Sequence, residues 1–186
     1  MIYIQLGLDH ITDIAGYDHM LFILALVAGV KIRDWKILLG VISTFTISHS
    51  FALALAVTGW VEITESFSWW IELLIPITIL FTGISNMTSV SSRYRLGQVF
   101  VFGLIHGLGF SNYLKMILGQ SDSLAMSLFG FNIGLELGQL IFLCLVLVLI
   151  KIFEKFFQIT KRDRNIFVSG GVILASSLLI IEKLFV

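Results

Sequence analysis

The chain has 186 residues, of which 58% are hydrophobic and 13% charged, with 12 Lys and Arg balanced by 12 Asp and Glu. So apolar a composition excludes a soluble domain, and zero net charge removes the basic footprint that nucleic acid requires. A lone cysteine, Cys144, excludes both an intramolecular disulfide and a thiolate metal site.

Apolar runs near twenty residues recur along the chain, which predicts an all-α polytopic membrane helix bundle forming one domain over residues 1–186. Residues 1–16 alternate apolar side chains with Asp9, His10 and Asp13, a pattern for a short helix on the outer surface. No basic segment precedes the first apolar run, so no cleavable signal peptide is expected. Six spans are then expected, at 17–30, 37–58, 69–87, 97–118, 124–152 and 166–181. The turns after the first, third and fifth are rich in Lys and Arg, whereas those after the second and fourth have none. By the positive-inside rule, six transmembrane helices with both termini outside fit that bias, with Lys115 snorkelling at an outer end.

Polar residues inside the spans carry the functional signal. His106 falls roughly 14 Å from the inner end of the fourth span and His49 roughly 18 Å from that of the second, both near mid-membrane. Gly103, Gly107 and Gly109 leave space beside His106 for something to approach. Glu136 on the fifth span is at a similar depth, and Asn132, Glu136 and Gln139 share a helix face at i, i+4 and i+7. Gly130, Gly134 and Gly138 form a close-packing stripe opposite that face. Asp18 and His19 lie at the outer end of the first span, and Glu72 is similarly shallow on the third. Each uncompensated charge at such depth costs about 2.5 kcal/mol or more, so these groups are expected to compensate one another or to share a cation.

Imidazole and carboxylate without thiolate suit a divalent transition metal such as Ni, Co, Zn or Fe(II), rather than Cu(I) or an all-oxygen Ca site. The candidate ligands are Asp18, His19, His49, His106 and Glu136. His10, Asp13, Ser50, Asn132, Gln139 and Glu72 are candidates for the mouth of the site or for groups that orient the ligands.

Four segments now carry a resemblance: GYDHMLF at Gly16–Phe22, FTISHSFAL at Phe45–Leu53, FGLIHGLGF at Phe102–Phe110 and FGFNIGLELGQ at Phe129–Gln139. Together they resemble the signature segments of the HupE/UreJ family of bacterial membrane proteins. The resemblance covers about Leu8 to Gln139. It implies a multi-pass protein of the bacterial inner membrane that handles nickel or cobalt and works beside metalloenzyme-maturation proteins. It also implies that Asp18, His19, His49, His106 and Glu136 meet the metal, with His10 matching an upstream histidine.

Two further readings use the same residues. A zinc-dependent intramembrane hydrolase acting on a lipid or lipoprotein would hold zinc on the histidines, with Glu136 or Asp18 as base and Asn132 or Ser50 steadying an oxyanion. A metal-binding accessory factor would bind the ion and move nothing. Neither H-E-x-x-H nor G-x-S-x-G occurs, which weighs against the enzyme.

Overall fold

The computed structural model describes residues 1–13, 16–30, 34–88, 92–118 and 123–185. Parts of the expected turns, residues 31–33, 89–91 and 119–122, and residues 14–15 of the expected surface segment lie outside the described residues. The protein is an all-helical bundle of α1 (Ile2–Thr12), α2 (Tyr17–Ala28), α3 (Trp35–Val57), α4 (Glu65–Met87), α5 (Ser92–Leu118), α6 (Leu124–Phe157) and α7 (Lys161–Phe185). Its helix starts follow from local chemistry. Thr64 caps α4 by accepting from the Phe67 amide at 3.3 Å, and Glu65 adds a favourable charge in the first turn. Thr160 and Asp163 cap α7 reciprocally, the threonine hydroxyl accepting from the Asp163 amide and the carboxylate from the Thr160 amide.

Four helices, α3, α4, α6 and α7, are long and apolar enough to cross a membrane, and α1 and α2, bent by 67° at their break, pass together. α5 is not among them, its apolar run being interrupted by Gln98, His106, Ser111 and Asn112. With 34 residues, α6 extends about 51 Å, more than the roughly 30 Å hydrocarbon layer, and it ends at Gln158 in the left-handed region.

The most extensive helix pairings are α3 with α5, α1 with α6, and α4 with α7. Two of them depend on glycine. A Cβ on Gly7 would collide with the Phe131 carbonyl, and one on Gly134 with the Ile4 carbonyl, so α1 lies backbone to backbone on α6. The glycine stripe of α6 therefore has α1 as its partner. Two apolar clusters bracket the middle of the bundle. One is built around Ile11, Leu53, Leu114, Phe131 and Leu135, the other around Phe22, Leu26, Phe45, Ile79 and Val99. The polar residues of the site lie between them.

Candidate metal centre

All four histidines of the chain meet in one place. His10 stands on the last turn of α1 and His19 on the first turn of α2, so the bend between these helices brings their ring centroids to 4.6 Å. His49, from the middle of α3, lies 5.6 Å from His19 and 6.1 Å from His10. His106, from α5, lies 5.4 Å from His19. The last two are aligned by the glycines beside His106. A Cβ on Gly103 would meet the Ser48 hydroxyl and the Phe45 carbonyl, and one on Gly107 the His49 carbonyl. On the side of Gly103 and Gly107 the expected space beside His106 is thus occupied by α3, which brings the backbone of His49 against α5, whereas Gly109 and His106 both line an open cavity.

Hydrogen bonding leaves at least one nitrogen of each ring unspent. The hydroxyl of Thr78 donates to the Ile75 carbonyl at 2.7 Å, so at 3.0 Å it can only accept from Nε2 of His106. That fixes the tautomer and leaves Nδ1 of His106 as a lone pair, buried and without a partner. His19 is ordered in the same way: Nδ1 faces the Asp18 carboxylate at 3.1 Å, and buried Nε2 has no partner. Nε2 of His10 is likewise unpartnered, as are both ring nitrogens of His49, whose side chain is 0% exposed. An unsatisfied buried polar group costs about 1–3 kcal/mol, so several converging at one point form an arrangement that a shared cation would relieve.

A cavity of about 500 Å³ reaches the cluster, lined by His10, His19 and His106 and by Asp9, Asp13 and Asp18. Phe110 covers His10 at a centroid distance of 3.7 Å. On the other side the cluster rests on aromatic rings: Phe22 lies 5.3 Å from His106, and Phe45 lies 5.3 Å from His106 and 5.8 Å from His49.

The other sequence-derived candidates fall elsewhere. Glu136 accepts from the Ser43 hydroxyl at 3.2 Å and belongs to neither group of clustered ligand atoms among the described residues. The reason is helical phase: the glycine face of α6 turns towards α1 and its His10, so the opposite face carries Glu136 away. Ser43 precedes His49 by six residues on α3, which puts Glu136 roughly 9 Å along that helix from the histidines. Gln139 is buried and accepts from Thr46 at 2.8 Å, and Asn132 is half-buried with Oδ1 unpartnered. Neither they nor Ser50 line the cavity. Glu72 is exposed, paired with Lys183 and Ser68, in a neighbouring depression that shares Asp18 and Ile75 with the first. Thr78 was not among the sequence candidates. Its signal was the hydroxyl face Thr78, Thr82, Ser85 at i, i+4 and i+7.

Ligand atoms of His10, His19 and His49 lie within 4.8 Å of one another, as do those of Asp18, His19 and His106, with His19 common to both groups. Bonds of about 2.1 Å hold ligand atoms roughly 3.4 Å apart around a tetrahedron, so modest side-chain adjustment would close either group on an ion. The donor set, imidazole with one carboxylate, suits divalent Ni, Co or Zn.

The family model described as HupE / UreJ protein matches residues 1–183, essentially the whole chain. No curated protein and no solved structure matches.

Proposed function

The chain belongs to the HupE/UreJ family, and on that premise we propose that it takes up divalent nickel or cobalt across the bacterial inner membrane. In this reading α1 and α2 together make the first crossing, α3 to α7 make the others, and both termini are outside. Asp9, Asp13 and Asp18 attract the hydrated cation to the cavity mouth. His19, oriented by Asp18, receives it together with His10, His49 and His106. The ion then leaves inward, towards metalloenzyme-maturation proteins. Glu136 stands apart from this first binding position.

One observation carries the reading: all four histidines have a buried, unpartnered ring nitrogen, and three of them, His10, His19 and His106, line an acid-edged cavity. Structural histidines would spend those nitrogens on neighbouring helices. The test is nickel uptake into proteoliposomes holding the purified protein. Saturable uptake that is lost in His49→Ala and His106→Ala, both still folded and monodisperse, supports the proposal. Uptake unaffected by either substitution would overturn it.

A second reading, a zinc-dependent hydrolase, is favoured by the aromatic floor of Phe22 and Phe45, which separates the cavity from the inner half of the bundle. It predicts zinc-dependent release of fatty acid from bilayer lipid with no ion uptake.

A further inference from the structure

We propose that the ion leaves the histidine cluster along a line of buried hydroxyls on α4, and that Arg95, held on Asn86, closes the inner end of that line. The inference rests on the uptake reading above.

A straight path inward is blocked. Beneath the histidines lie Phe22 and Phe45, and beyond them Leu26, Val41, Ile79 and Val99, all buried and apolar. A divalent ion cannot cross such packing without exchanging its hydration for other oxygen ligands. α4 supplies oxygens beside that block. Thr78, Thr82 and Ser85 recur on one helical face, each less than one-tenth exposed, and Asn86 follows them. Each hydroxyl gives its hydrogen to its own helix: Thr78 to the Ile75 carbonyl at 2.7 Å, Thr82 to that of Thr78 at 2.8 Å, Ser85 to that of Thr82 at 2.9 Å. What remains on every one is lone pairs, the groups a cation or its water can use. The line begins at Thr78, the residue bonded to His106, and runs about 12 Å to Asn86.

At that inner end the chain places a cation of its own. Arg95 Nη2 donates to Asn86 Oδ1 at 3.1 Å, while Nη1, buried, has no partner among the described residues. Asn86 is fixed from several sides: its Nδ2 donates to the Ala25 carbonyl at 2.6 Å, and its carbonyl accepts from Asn165 Nδ2 at 2.7 Å. The contact thereby ties α5 to α2, α4 and α7. Gly29 lets it close, because a Cβ there would collide with Asn86 Oδ1 and stand 2.7 Å from Arg95 Nη1 and Nη2. A guanidinium in this position repels an arriving divalent ion, so release requires Arg95 to swing aside. Pro76 gives the inner half of α4 a point of freedom, since it lacks the N–H that would bond the Glu72 carbonyl.

A competing path exists in the α3–α6 seam, where Thr46 meets Gln139 and Ser43 meets Glu136. The experiment separates the two. Ser85→Cys in a Cys144→Ala background is labelled with a charged thiol reagent from the face where α6 ends and α7 begins, without metal. Nickel uptake and bound nickel per protein are then measured on the Ser85 protein. With Arg95→Gln, labelling should quicken at least tenfold and uptake should rise, at unchanged bound nickel. Thr82→Val should lower uptake about tenfold, also at unchanged bound nickel. Gly29→Ala, which pushes the pair apart by volume alone, should act like Arg95→Gln and serves if that variant does not fold. Labelling and uptake indifferent to both substitutions would overturn the gate. Uptake abolished by Glu136→Gln but untouched by Thr82→Val would move the route to the other seam and overturn the proposal. If the unsubstituted protein binds nickel and moves none, the uptake reading itself fails, and the labelling arm alone decides whether Arg95 shuts the hydroxyl line.

Discussion

Thr78 and His106 are joined by a hydrogen bond with only one direction open to it. The threonine proton is already on the Ile75 carbonyl, so Nε2 of His106 donates and Nδ1 faces the cluster as a free lone pair. Groups that orient a metal-binding histidine in this way typically contribute 10–100-fold in affinity. Thr78→Val should therefore weaken nickel binding by about that factor, and Thr78→Ser should restore most of it. Competition titration against a coloured chelator measures both. Equal affinity in the valine variant would show that the tautomer is set by something else.

The close crossing of α3 on α5 yields a stability prediction. Gly107→Ala forces a methyl into the His49 carbonyl and should destabilise the protein by about 1–3 kcal/mol, as overpacking does, with loss of metal binding. Gly40→Ala meets nothing within 4 Å and should be neutral or slightly stabilising in its helix. Thermal unfolding in detergent compares them. A neutral Gly107→Ala would mean that the two helices are free to separate.

His10 lies in the histidine cluster and Glu136 outside it, which predicts different roles for the two. His10→Ala should lower nickel affinity, whereas Glu136→Gln should retain both affinity and stoichiometry, because its carboxylate is engaged with Ser43 away from the cluster. Calorimetric titration of the two variants decides this. The opposite ranking would reinstate the carboxylate as a ligand.

Binding should also respond to pH. An imidazole must be neutral to offer a lone pair, so protons and metal compete. Affinity should therefore be level near neutral pH and fall in acid, more steeply than one proton alone would give. An acid profile left unchanged in His49→Ala and His106→Ala would show that these imidazoles are not the ligands.

Much of this arrangement was legible in the sequence. Depth counted along helices put His49 and His106 at one level, and the Asp18–His19 pair followed from its place at the start of an apolar run. Periodicity also showed that the glycine stripe and Glu136 occupy opposite faces of α6. It could not show which face meets which neighbour, since a helical wheel fixes angles within one helix and not its partner. Residues 1–16 looked like a surface helix, and α1 is indeed helical. Only the packing of Gly7 on Phe131 and of Gly134 on Ile4 reveals that α1 lies along α6 and so delivers His10 to the cluster. Thr78 is not conspicuous in the sequence because a threonine in a span, even one on a hydroxyl face, is ordinarily bonded to its own backbone. This one is too, and its importance lies in the lone pair it then offers to His106.

If histidines of four helices share one divalent ion, X-ray absorption at the metal edge of the nickel-loaded protein should show at least three imidazoles bound at about 2.1 Å, with one fewer in folded His49→Ala. A shell of oxygen ligands without the outer-ring signature of imidazole, or a spectrum unchanged in His49→Ala, would contradict it.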